Sequence, residues 1–171
     1  MDVEQAIRSK HAVRRFSDQP VPDDVIRQIL DAGRHSQSSK NTQPWEFIVV
    51  RSRETLIALS KLGDYAQHLA GANFAVLLVG SQGELWNGFD WKSFDIGQAS
   101  SYLQLAAWEL GVGSCIATIY KADEAKALLG VPADHTLSVA LSFGYPAADW
   151  VTAKMGGRRP LDEVVRWEKW S

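Results

Sequence analysis

The chain has a single cysteine, Cys115, in 171 residues. An intrachain disulfide is therefore impossible and a thiolate-rich metal site is ruled out. Histidine is sparse as well. His11, His35, His68 and His135 are the four, and none falls in H-E-x-x-H spacing, which argues against a zinc hydrolase. There is no G-x-S-x-G elbow for a serine nucleophile. No G-x-G-x-x-G follows a strand and no G-x-x-x-x-G-K-(S/T) occurs, so neither a Rossmann dehydrogenase nor a P-loop NTPase is indicated. Charge of one sign is missing too. A net charge of -2 leaves no surplus of Lys and Arg for general nucleic-acid binding. No apolar run approaches a membrane span, and the opening MDVEQAIRSKH has early acids and no apolar signal core. These absences together give the expectation of a cytoplasmic protein in a reducing compartment, with no nucleic-acid or membrane partner.

What is present reads as one folded domain over residues 1–171, long enough to bury a real core. Seven tryptophans are many for this length. Trp86, Trp91, Trp150, Trp167 and Trp170 lie in polar surroundings, where such residues either serve interfaces and ligand sites or cover a small core.

The pattern predicts a short helix over residues 2–9 with Val3, Ala6 and Ile7 on one face. A second helix starts at about Pro22, with Val25, Ile29 and Ala32 at helical spacing and Gly33 near its end. EFIVV and NFAVLLVG read as buried strands, separated by a mostly helical stretch over 53–70 with a break near Gly63. After a polar, aromatic loop (GELWNGFDWKS), the segment Phe94 to Gly111 is the longest helical pattern, with Ile96, Ala99, Leu103, Ala106 and Leu110 in one stripe. It is apolar nearly all round, as central helices are. CIATIY is a strand, 121–129 a helix closed by Gly130, and TLSVALSFGYP a further strand; the tail from Val151 is irregular with one last helical turn. The sum is a mixed α and β domain of roughly four strands and five or six helices.

No nucleophile-activating constellation emerges, so if the chain is an enzyme a cofactor carries the hard step. Cys115 reads as a buried small residue in an apolar strand. Two clusters stand out. Lys10, His11, Arg14 and Arg15 place four potential cations in six residues after the first helix. This is either a solvated basic turn or a phosphate grip, since Arg offers a planar fork to phosphate oxygens. The second is Gln37 to Trp45, QSSKNTQPW. Helix capping and turn chemistry account for Ser36 to Asn41, but leave the conjunction with Gln43, Pro44 and Trp45 unexplained. A weaker third feature is the basic turn GGRRP, Gly156 to Pro160.

Read together, these segments resemble the nitroreductase family of FMN-dependent oxidoreductases. The matching runs are Lys10-His11-Ala12-Val13-Arg14-Arg15-Phe16, then Pro20-Val21-Pro22, then Gln37 to Trp45, then Asp95 to Cys115 in the pattern D-I-G-x-A-x-x-x-L-x-L-A-A-x-x-L-G-x-G-x-C. The resemblance implies an α+β, three-layer fold with a central, mostly antiparallel sheet of about four or five strands flanked by helices, in an intertwined homodimer. It also implies that FMN lies between the subunits. Lys10, His11, Ala12 and Arg14 would hold its phosphate and ribityl side, and Ser38, Ser39 and Asn41 of the partner chain would border it. Ile116, Ala117 and Thr118 would approach the ring with their backbone, and Arg158 or Arg159 would complete the phosphate site. The chain departs from the family pattern where Ala12 replaces a serine, Lys10 and His11 replace arginines, Gln37 replaces a proline, and Gly156 and Gly157 precede Arg158.

By the same resemblance, activity would pass reducing equivalents from NAD(P)H through the flavin to a small electron-poor acceptor such as a nitroarene or quinone, in ping-pong fashion. Trp86, Phe89 and Trp91 are candidates for the substrate wall. The alternatives are a carrier, sensor or scavenger of FMN without efficient turnover, or a dimer that has lost its cofactor.

Overall fold

The run Phe74–Ser81 (β2) shows how the sheet is built, because its first six residues, Phe74 to Val79, are all apolar. A strand sends successive side chains to opposite faces. Ala75, Leu77 and Val79 accordingly enter one core cluster, and Phe74, Val76 and Leu78 the other. The computed structural model describes residues 1–81, 88–152 and 157–170, apart from the side chain of Ser138. Within them β2 joins β1 (Trp45–Val50), β3 (Gly113–Thr118) and β4 (His135–Gly144) in a four-stranded sheet of order β1-β2-β4-β3. All three pairings are antiparallel.

Helices cover both faces. On one side α2 (Asp23–Arg34) and α4 (Trp91–Glu109) bury Ile26, Ile29, Leu103 and Ala107 against Phe74 and Phe143, whose rings stack at 4.8 Å. On the other, α3 (Arg53–Leu59) and α5 (Ala122–Leu129) bring Leu56, Leu59 and Ala125 to Leu77, Leu137 and Ala140. Each large side chain buried this way contributes roughly 1.5–3 kcal/mol. The three-layer, antiparallel architecture implied by the resemblance is what the chain adopts. No helix among the described residues is long and apolar enough to cross a membrane.

Local chemistry shifts several predicted boundaries. The long helix α4 begins at Trp91 rather than Phe94, because the Asp90 carboxylate accepts the Ser93 N–H at 3.0 Å and caps the first turn. Its buried face is also rotated from the predicted stripe. Asp95, Ser100 and Gln104 are buried beside Ala99, Leu103 and Ala107, whereas Ile96, Ala106 and Leu110 are half-buried. The predicted helical stretch over 53–70 is narrower. It consists of α3 and a 3-10 turn at Gln67–Gly71. Between them, a Cβ on Gly63 would lie 2.0 Å from the Thr118 carbonyl oxygen. Only glycine lets the chain pass so close to the end of β3, and the N–H groups of Tyr120 and Lys121 both bond to the Leu62 carbonyl there.

Some apolar surface finds no cover among the described residues. In α1 (Val3–Ser9) only Ala6 is buried, while Val3 and Ile7 are 74% and 61% exposed. Phe94 and Tyr102 on α4 are exposed too. In the tail, α6 (Leu161–Val164) leads to Trp167 and Trp170, at 84% and 89% exposed.

Candidate functional site

The chain leaves α1 at Lys10 in extended conformation and runs as a strap along the open edge of β3. Ala12 forms an isolated parallel bridge with Ser114, and the Val13 N–H donates to the Ser114 carbonyl at 2.9 Å. Val13 is fully buried. A Cβ on Gly113 would sit 2.6 Å from its side chain, so the strap lies flat on β3 only because residue 113 is glycine.

The strap divides the basic run. The Lys10 ammonium donates to the Gln104 side-chain oxygen at 2.6 Å, and burial lowers its pKa below the ordinary lysine value. Arg14 is exposed beside a cleft, close enough to Cys115 and His68 to influence their charge. Among the described residues neither cation has a carboxylate within ion-pair distance. Arg15 turns away to Asp149 at 2.6 Å, and the exposed His11 turns back to the Ser9 carbonyl at 2.6 Å. Two of the four potential cations are therefore available to a ligand and two are spent locally.

Ile116 and Thr118 expose their side chains on β3, with Ala117 buried between them. Since the Ser114 carbonyl faces the strap, ladder alternation turns the backbone groups of residues 116 and 118 to the same open edge. Cys115 is buried, and burial pushes its thiol pKa up, which keeps it from acting as a nucleophile. Beyond Gly63 the loop completes a cleft of about 540 Å³ lined by Arg14, Tyr65, Gln67, His68 and Ile116. Tyr65, Gln67 and His68 had no sequence signal of their own. Their place follows from the close approach of Gly63 to Thr118, which no local pattern encodes.

The serine loop is built differently. Ser38 is half-buried, whereas Ser39 to Gln43 are exposed. Lys40, Asn41 and Gln43 all have positive φ, of 52°, 56° and 47°. Asn tolerates this left-handed region, but Lys and Gln enter it at a cost of roughly 1–2 kcal/mol each. The loop is held by the Ser39 N–H, which donates to the buried Asp95 carboxylate at 2.8 Å, and by the Ser38 hydroxyl, which accepts the Gln43 N–H at 3.0 Å. The side chains of Ser39 and Asn41 make no hydrogen bond within the described chain and point outward.

One chain does not bring all the predicted residues together. Lys10 attaches at Gln104 and Ser39 at Asp95, nine residues apart in α4, or about 13 Å along the helix. Arg158 and Arg159 are exposed, with no hydrogen bond or ion pair to the strap among the described residues. Gly156 and Trp86 lie outside the described residues. Phe89 and Trp91 pack with ring centroids 4.7 Å apart and both meet Phe94, all three remaining exposed. Asp95 and Gln104, the two polar anchors on α4, were legible only as members of a motif and not as the residues that hold the loop and the strap.

Comparison with known proteins gives concordant results. The model of the nitroreductase family matches residues 7–77 and 60–145. A protein of Archaeoglobus fulgidus, provisionally named NADH dehydrogenase/NAD(P)H nitroreductase, is 32% identical over 168 residues, covering 96% of each chain. An FMN-dependent nitroreductase of Clostridium difficile R20291 has a similar structure, with a TM-score of 0.85 at 26% identity, over 98% of this chain and all of that one. The NADPH:FMN oxidoreductase of Vibrio harveyi, in complex with NAD+, shares the fold with a TM-score of 0.88 at 19% identity, over 98% of this chain and 77% of that one.

Proposed function

The chain belongs to the nitroreductase family, and from that premise we propose that it is an FMN-dependent oxidoreductase that moves reducing equivalents from NAD(P)H to a small electron-poor acceptor. The observation that carries this is a basic strap laid along the open edge of β3, with Arg14 and Ile116 lining one cleft and Lys10 held on Gln104 at the start of the same strap. The donor set fits a flavin mononucleotide. Two cations without carboxylate partners suit a phosphate or an electron-rich ring edge. A half-exposed apolar Ile116 suits a flat aromatic face, and the His68 Nε2 is a buried polar atom still wanting a partner.

When bound, FMN supplies the two-electron acceptor and donor chemistry that the side chains lack. Lys10 and Arg14 supply positive charge and hydrogen bonds, with Gln104 holding the lysine in place. The strap and the loop from Gly63 to His68 wall the cleft on two sides. Phe89, Trp91 and Phe94 present a cluster of rings that would border a flat substrate. Turnover is ping-pong, the nicotinamide leaving before the acceptor enters the same cleft.

The working form is a homodimer. The exposed Phe94 and Tyr102 on α4, a bare stripe on α1 and two exposed tryptophans in the tail are surfaces that a second copy would bury. The outward side chains of Ser39 and Asn41, about 13 Å along α4 from the Lys10 anchor, would then serve the partner's cleft. Arg158 or Arg159 would reach a phosphate in the same assembly.

The test is a visible spectrum of the purified protein with added FMN, followed by anaerobic NADPH and then NADH. A bound flavin band that bleaches with either nucleotide and returns with a quinone is expected. A band that never bleaches sinks the oxidoreductase reading in favour of an FMN carrier or sensor, and no retention of FMN sinks both.

A further inference from the structure

The strap touches β3 at its middle, through Ala12 and Val13. A different element holds its two ends. Past β4 the chain runs back along the strap as a short antiparallel ladder. The Ser17 N–H donates to the Tyr145 carbonyl at 2.8 Å, the Ala147 N–H donates to the Arg15 carbonyl at 3.1 Å, and Phe16 bridges Pro146 between them. A Cβ on Gly144 would lie 2.9 Å from the Phe16 ring, so the two segments are in close contact. The chain then reverses. The Trp150 N–H donates to the Ala147 carbonyl at 2.9 Å and closes a β-turn.

That turn reaches both ends of the strap. At one end Asp149 pairs with Arg15 at 2.6 Å. At the other, the half-buried Trp150 ring meets the Trp108 ring edge-on, with centroids 6.3 Å apart. Trp108, on α4, donates its indole Nε1–H to the Ser9 hydroxyl at 2.9 Å, and Ser9 is the last residue of α1. Ser9 and Arg15 are thus the fixed points. Lys10 and Arg14, the two cations without a carboxylate partner among the described residues, are the next residues inward from them. The Arg15–Asp149 pair is exposed and holds little by itself, so the two rings are the stronger member. Neither ring lines the cleft.

We propose that the turn Ala147–Trp150 is a clasp on the strap and that Trp150 is a positioning residue, keeping the Trp108 indole on Ser9 and so fixing the backbone from which Lys10 departs. Its consequence for cofactor binding rests on the FMN reading above. Gln104 holds the Lys10 ammonium at the far end of a flexible stem. The bond to Ser9 holds the near end, and only both together set the direction of the charge.

Three substitutions separate this role from a merely structural one. Trp150→Ala removes the ring, Trp150→Phe keeps a ring facing Trp108, and Trp108→Phe keeps the ring pair but deletes the Nε1–H. FMN titration followed by flavin fluorescence, well below the melting temperature, is expected to show about fivefold weaker binding for Trp150→Ala and Trp108→Phe, and about twofold at most for Trp150→Phe. The double variant Trp150→Ala/Trp108→Phe should lose no more than either single change, because both break one chain of contacts. Losses that multiply would mean two independent effects and overturn the proposal. A ring that only stabilises the fold lowers the melting temperature and leaves FMN affinity unchanged, which overturns it too. Amide hydrogen exchange without FMN gives a separate reading. In Trp150→Ala the Lys10 and Val13 N–H groups should exchange faster, while those of Val76 and Leu77 on β2 keep their protection. If that variant does not fold, Trp108→Phe carries the same expectation. Strap amides that exchange as in wild type overturn the clasp whatever FMN does. Wild-type protein that never quenches flavin fluorescence overturns the FMN reading, and the exchange result then decides the clasp alone.

Discussion

The two ends of α4 hold the two halves of the candidate site by opposite means. At the Gln104 end, the strap lies flat on β3 with Val13 buried beneath it and is anchored by a cation on a neutral amide. At the Asp95 end, the serine loop is exposed, left-handed at three residues and anchored by one backbone N–H on a buried carboxylate. The first half is completed by contacts within the chain. The second spends backbone strain to aim groups that the chain itself does not use. A region finished internally should break when its packing is disturbed. One prepared for a partner should tolerate change in the isolated chain and lose function instead.

The largest effect is expected at the strap. Gly113→Ala puts a methyl group 2.6 Å from the Val13 side chain, so strap and strand must part. A cost of about 3 kcal/mol follows, which lowers the melting temperature by roughly 6–12 °C for a chain of this size. Thermal unfolding measures it, and a shift of a degree or less would mean that the strap floats over β3 rather than packing on it.

The next effect sharpens the same end. Gln104→Leu removes the acceptor of the Lys10 ammonium and leaves a half-buried charge unsatisfied, at a cost of about 1–3 kcal/mol at pH 7. Its pH dependence has a definite sign. The Lys10 pKa is lower in the folded chain than its ordinary value of 10.5, so the unfolded state binds more protons across the window below 10.5. Stability from this group therefore rises with pH there. The deficit of the variant relative to wild type should shrink as pH approaches 10.5, because a neutral amine no longer needs the amide. Denaturant titrations at pH 7 and pH 10 test this, and an equal deficit at both would assign the loss to helix packing.

These residues also mark how far the sequence could be read. The strands, the basic run and the motif order were legible, because buried strands are continuous apolar runs and the basic run is local. Gln104 and Asp95 were not, since helical periodicity registers apolar stripes and α4 buries polar groups on its inner face. Tyr65, Gln67 and His68 were hidden for a different reason. Their role depends on Gly63 meeting Thr118, a contact between residues 55 positions apart. The outward serine and asparagine side chains raised a question in the sequence that a single chain does not close.

The smallest effect is expected at the loop, where it has the opposite direction. Lys40 holds φ 52° and ψ 23° without glycine's freedom. Lys40→Gly relieves steric strain of roughly 1–2 kcal/mol and returns roughly 0.5–1 kcal/mol to the unfolded chain as entropy. The net is a gain of up to about 1.5 kcal/mol in the protein without FMN. The same change frees the segment that aims Ser39 and Asn41, so FMN should raise the melting temperature of the variant by less than it raises that of the wild type. Melting curves with and without FMN read both quantities at once. A variant less stable than wild type without FMN would show that the lysine side chain anchors the loop. A variant stabilised by FMN as fully as wild type would show that the left-handed backbone is not what positions the serine and asparagine.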